Sequence, residues 1–189
     1  MTALFEIFTR SLRELRSVRS LAVISMFGAV SIVLSSMTLV ISSYVQIGFS
    51  TIAQQAVYAM FGPGCGFFFA AAMDILKWMI RPTGPFFPGY TLNACAAALI
   101  YGYFYYEHKI TVRRVLLAEF LVSLICNMLL GTLWITMLYG KSFMAILPLR
   151  VFKNLIMLPI NTLIFYTLMQ ALERSGLFAM IRESKKKRP

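Results

Sequence analysis

Arg150, Lys153 and Asn154 stand in residues 143 to 172, a stretch otherwise apolar enough to cross a membrane. Ionisable groups inside such a segment are costly and default to functional hypotheses. Arg150 and Lys153 are three apart and share one helical face, with Asn154 beside it and Asn161 two turns further in. Two cations on one face suit an anion, and a guanidinium holds a carboxylate with two bonds. A second group is aromatic. Phe86, Phe87 and Tyr90 cluster on a loop stiffened by Pro85 and Pro88, and Asn93 follows about one turn into the next apolar segment. Rings to stack on, and an amide with two donors and an acceptor, suit a planar polar ligand. An interfacial aromatic belt with a polar residue near a helix start would read the same way.

Other chemistries lack their residues. His108 is the only histidine, beside Glu107 and Lys109, and no Ser/His/Asp set or HExxH is present. Cys65, Cys95 and Cys126 have no metal-ligand spacing and read as small buried hydrophobes. Gly140-Lys141-Ser142 resembles the end of a phosphate-binding loop, but Ile135 stands where its first glycine would be. The expectation is no enzyme, no metal and no cofactor. Three further ionisable groups lie in apolar segments. Asp74 and Lys77, three apart, could pair with each other or meet a ligand, and Glu119 could pair with Arg113 or a neighbouring helix.

These groups need a membrane scaffold. The 189 residues are 59% hydrophobic and 13% charged, with a mean hydropathy of +0.76, which fits one integral membrane domain. The net charge is +11, yet the basic residues gather at the chain ends and in one short loop, so membrane topology explains them and nucleic acid is not expected. Residues 1–20 read as an amphipathic helix lying on the inner membrane surface, with Leu4, Phe5, Phe8, Leu12 and Leu15 on one stripe. Spans are expected at 21–41, 49–62, 64–80, 90–106, 112–139 and 143–172, with a basic tail at 173–189. As one straight helix, residues 49–80 would run about 48 Å, beyond the ~30 Å hydrocarbon core. Gly62-Pro63-Gly64-Cys65-Gly66 offers a turn in the middle. Basic chain ends place both termini in the cytoplasm, which requires an even number of spans, and splitting 49–80 gives six. The fold class expected is all-α, an integral membrane six-helix bundle.

That topology gathers polar and aromatic groups in the outer half. Tyr44 lies in an uncharged loop from Ser42 to Gly48. Gln54 and Gln55 face outward on the second span, Trp78 and Arg81 close the third, and Asn93 opens the fourth. Trp134 sits high on the fifth, and Arg150 and Lys153 sit high on the sixth. Groups from six elements at one depth form a pocket open to the outside.

The order of these features resembles the substrate-binding S components of energy-coupling factor (ECF) vitamin transporters, of the folate-specific type. The resemblance runs from Leu12 to Leu172. It is carried by Met60-Phe61-Gly62-Pro63, by Asp74 and Leu76, and by Pro82-Thr83-Gly84-Pro85-Phe86-Phe87-Pro88-Gly89-Tyr90-Thr91-Leu92. Ile100-Tyr101-Gly102, Thr132-Leu133-Trp134, Tyr139-Gly140-Lys141, the run Leu147 to Asn154 and Pro159 complete it. It implies a bacterial cell-membrane protein that binds folate or a reduced folate from outside and docks on a transmembrane coupling protein carrying two ATPases. It also implies that the S component topples in the membrane to deliver its ligand. An Ala-x-x-x-Ala surface for the coupling protein would fall on Ser25 and Ala29, and small residues at that spacing let helices approach closely. The resemblance leads one to expect an asparagine before Thr132, where this chain has Gly131. Two other classes match the composition: a proton-coupled carrier of a planar organic anion using Asp74 or Glu119, and a structural subunit of a membrane complex.

Overall fold

The structure, a computed structural model, describes residues 2–176 apart from 43, 44, 83, 84, 141 and 142. Helix α1 spans Thr2–Leu12 and a tight 3-10 turn Arg13–Arg16 follows. The expected single surface helix therefore ends early. Ser17 is extended, at φ −99° and ψ 124°, and α2 (Val18–Ser36) starts beyond it. The first span, expected to run to 41, ends at Ser36, and its expected last residues join the expected loop in an antiparallel hairpin of β1 (Leu39–Ser42) and β2 (Val45–Ile47). Four more segments follow: α3 (Ser50–Ile80), α4 (Pro88–Tyr105), α5 (Val112–Val122) and α6 (Gly131–Tyr139). A π-helical stretch, Ser123–Leu130, joins the last two, and α7 (Phe143–Arg174) closes the described chain. The fold is helical apart from the hairpin.

Helix α3 doubles back on itself. Lys77 Nζ donates to Ser50 Oγ at 3.1 Å, whereas 27 residues of straight helix would hold them about 40 Å apart. The reversal is at Gly62, with φ 85° and ψ −176°, a conformation that is essentially glycine-only. Pro63 starts the returning arm, where its missing N–H costs nothing. The bundle therefore has a turn end, marked by Gly62, and a loop end, marked by Ser50, Ile80 and the start of α4.

Packing follows from small residues. Gly102 of α4 lies so close to the turn that an added Cβ would stand 2.5 Å from Pro63 Cα. One turn away Ala98 is fully buried, so α4 seats against α3 through a small-residue face. Around this contact a ladder of stacked rings crosses the core: Tyr58 on Tyr101 (6.3 Å), Tyr101 on Tyr105 (5.6 Å), Tyr105 on Phe165 (4.9 Å). Helix α1 plugs the turn end. Ser11 Oγ donates to Phe61 O at 2.5 Å and accepts from Cys65 N at 2.9 Å. Two backbone groups that the break in α3 would leave unpaired are thereby satisfied. Arg10 and Glu107 add an exposed ion pair at 3.5 Å, worth ~1 kcal/mol or less.

The outer faces are apolar. Met26, Val33, Leu117, Phe120, Phe152 and Leu155 are all exposed, as lipid-facing side chains are. Among the described residues, four helical segments are long and apolar enough to cross a membrane: Val18–Ser36, Ser50–Ile80, Val112–Leu138 and Leu147–Arg174. All three cysteines are buried, and none forms a disulfide.

Candidate ligand site at the loop end

Site geometry starts at the head of α4. Phe87 is extended before Pro88, at φ −133° and ψ 116°, as the residue before a proline must be. Gly89 then lets rings close in, because a Cβ there would collide with the Phe87 ring and stand 2.7 Å from Trp134. The Phe87 and Trp134 centroids are 5.5 Å apart, and Tyr90 lies edge-on to Phe87 at 6.0 Å. Asn93 follows one turn down α4.

Arg150 approaches from α7. Its Nη1 donates to the backbone oxygen of Asn127, in the π-helical stretch, at 2.7 Å. A neutral carbonyl fixes the guanidinium but does not cancel its charge. Tyr90 and Lys153 are close enough to interact electrostatically with it. Asn154, one turn on, is buried.

Seven side-chain atoms among the described residues are buried without a hydrogen-bond partner: Gln55 Oε1 and Tyr105 Oη in the core, and Asn93 Oδ1, Thr132 Oγ1, Trp134 Nε1, Arg150 Nε and Asn161 Oδ1 on α4, α6 and α7. Each costs about 1–3 kcal/mol if left unpaired. Those of Asn93, Thr132, Trp134 and Arg150 offer donors and acceptors near aromatic faces and a cation that no acid among the described residues neutralises. A flat heterocycle bearing an acidic group would satisfy them together.

The structure sorts the expected site residues. It brings together Phe87, Tyr90, Asn93, Trp134, Arg150 and Lys153. Trp78 pairs with Phe86 at 5.2 Å, both rings partly exposed. Arg81 donates through Nη1 to Ser36 O at 2.9 Å, tying α3 to the end of α2. Gln54 is half-buried near the start of α3, and Tyr44 lies outside the described residues. Gln55 departs from expectation. It points into the core, 1% exposed, and donates to Glu119 Oε1 at 2.7 Å. Glu119 accepts from Tyr101 through its other oxygen at 2.9 Å, so its partners are these neutral groups rather than Arg113. Asp74 and Lys77 also have separate neutral partners, Thr91 Oγ1 at 2.7 Å and Ser50 Oγ. Thr132 was not among the expected site residues, although it stands in the Thr132-Leu133-Trp134 run that helped to carry the resemblance. Ser25 and Ala29 lie exposed on one face of α2.

A sequence model described as "ECF transporter, substrate-specific component" matches residues 19–169. The chain belongs to this family. The S component is 37% identical over 130 residues to the folate transporter FolT of Clostridium novyi, covering 69% of this chain and 76% of that one. It is 36% identical over 157 residues to the FolT of Leuconostoc mesenteroides subsp. mesenteroides, covering 80% and 84%. Its fold is similar to a crystal structure of FolT bound with folic acid, with a TM-score of 0.75 and 33% identity, covering 80% of this chain and 93% of that one. The S component is thus a multi-pass membrane protein.

Proposed function

We propose that this S component binds folate from outside the bacterial cell and hands it to an ATP-driven importer. The observation that carries the reading is the set of orphaned polar atoms near Phe87 and Trp134, next to an Arg150 whose charge no acid among the described residues cancels. An unpaired charge at membrane depth costs ~2.5 to 3.5 kcal/mol near the bilayer centre and less toward the edge. An anionic ligand would offset that cost. Folate offers a flat pterin with donors and acceptors, a benzoyl ring and carboxylates, and the FolT relatives support it.

The chain crosses the membrane six times, with both ends cytoplasmic. The doubling-back of α3 supplies two passages where length alone would count one, and the 18 residues of α4 reach about 27 Å. The loop end, with the site, then faces outside. Energy comes from two ATPases on a transmembrane coupling protein, which docks on the α2 face bearing Ser25 and Ala29, and the S component topples to release its ligand inward.

Equilibrium titration of the purified protein against a panel of vitamins tests this. Folate should bind without ATP. Tight binding of another vitamin, with none of folate, would overturn the reading.

A further inference from the structure

Gly131 is the first residue of α6, at the end of the π-helical stretch. A Cβ built on it would stand 2.6 Å from Arg150 Nη1 and 3.0 Å from Cys126 O. The first distance is closer than any real side chain tolerates, so the guanidinium occupies the place a side chain would take.

The backbone explains why the guanidinium stays there. In an α-helix the N–H of residue 131 would bond the carbonyl of residue 127. Here the Gly131 N–H bonds Cys126 O, five residues back, as in a π-helix. The Asn127 carbonyl is released from its α-helical partner, and Arg150 Nη1 takes it at 2.7 Å. The glycine supplies the space and the π stretch supplies the acceptor. Arg150 Nε is left buried and unpartnered.

We infer that Gly131 is a positioning residue for ligand binding, acting through Arg150: its missing side chain is the seat that holds the guanidinium toward the ligand. This rests on the folate reading above. A side chain at 131 would push Nη1 off the Asn127 carbonyl and swing the cation away from an oxygen acceptor on the ligand. The fork geometry that makes Arg selective for such acceptors depends on orientation, so a displaced Arg loses more than a displaced point charge would.

The test is a double-mutant cycle read by folate titration, with melting temperature measured without ligand. The four proteins are the unmodified chain, Gly131→Ala, Arg150→Ala and the double variant. Gly131→Ala should weaken folate binding at least tenfold while Arg150 is present and less than twofold once it is gone. Its melting temperature should fall only modestly, because the helix preference of alanine over glycine offsets part of the lost Arg150–Asn127 bond. Equal losses in both backgrounds would show that Gly131 acts on packing alone and overturn the inference, as would undiminished affinity in Gly131→Ala. If Arg150→Ala does not fold, Arg150→Lys replaces it with the same expectation. An additive cycle in a folate-binding protein defeats this inference alone. Absence of folate binding by the unmodified chain defeats the proposed function and the inference with it.

Discussion

Gln55 donates its amide to the Glu119 carboxylate at 2.7 Å, joining residues 64 apart in sequence inside the helical core. Tyr101 holds the other carboxylate oxygen, so one acid ties α3, α4 and α5 together. Glu119→Ala strands both donors at about 1–3 kcal/mol each and should lower the melting temperature markedly. Glu119→Gln keeps shape and one acceptor. It should bind folate within a few-fold of the unmodified protein and support uptake when assembled with its partners. Intact binding with uptake abolished in Glu119→Gln would favour a proton-coupled carrier.

The turn of α3 makes a sharper demand on its residue. Gly62→Ala adds about 1–3 kcal/mol of backbone strain, and its Cβ would stand 2.9 Å from both Ser11 Oγ and Tyr106 Cδ2. Ser11→Ala strands the Phe61 carbonyl and the Cys65 N–H, about 1–3 kcal/mol each. Thermal unfolding in detergent should place both variants clearly below the unmodified chain. A Gly62→Ala protein as stable as its parent would refute the account of the turn.

The orphaned atoms predict opposite signs for affinity and stability. Trp134→Phe keeps a ring against Phe87 and removes the Nε1 donor, while Asn93→Leu removes the Oδ1 acceptor. Each should weaken folate binding at least tenfold, about 1.4 kcal/mol. The ligand-free protein should melt no lower, because an unsatisfied buried group has been removed. Binding unchanged in both variants would take these atoms out of the site.

Much of this arrangement was legible in the sequence. Gly62-Pro63-Gly64 announced a reversal, because few other residues tolerate that backbone, and the structure puts the turn there. Phe87, Tyr90, Asn93, Trp134 and Arg150 could be placed at one depth by counting 1.5 Å per residue. Counting gives depth but not direction, which is why Gln55 was expected beside Gln54 yet turns into the core. The hairpin had a signal in Val40-Ile41 and Val45-Gln46-Ile47, β-branched runs that favour strands. The π stretch had none. Ser123-Leu124-Ile125-Cys126 reads as any apolar helix, and its geometry is set by what packs on it.

Topology can be read from the medium each end meets. In a cysteine-free background, Pro85→Cys should react with an impermeant thiol reagent on intact cells, and Lys109→Cys should react only after permeabilisation. Reaction of Lys109→Cys from outside would reverse the proposed orientation.

Docking should separate from binding. Ser25→Trp and Ala29→Trp enlarge an exposed face of α2 away from the loop-end site. Each should abolish folate uptake by the assembled transporter while leaving affinity within a few-fold. Parallel loss of affinity in a well-folded variant would mean that this face does not serve docking.

The π-helical stretch also sets which changes of length the chain can bear. Each residue of an α-helix turns the following ones by about 100°, and a π stretch accommodates one residue more per turn than that pattern allows. Deleting a single residue between Ser123 and Leu130 would close the stretch into an ordinary α-helix and leave α5 and α6 facing as they do, because the π turns absorb the extra residue. Glu119 and Trp134 would keep their places, while the Asn127 carbonyl would return to an α-helical partner and Arg150 would lose its fixed acceptor. Inserting a residue into α5 instead would meet no such slack and would turn α6 by about 100°, swinging Gly131 and Trp134 away from Arg150 and Phe87.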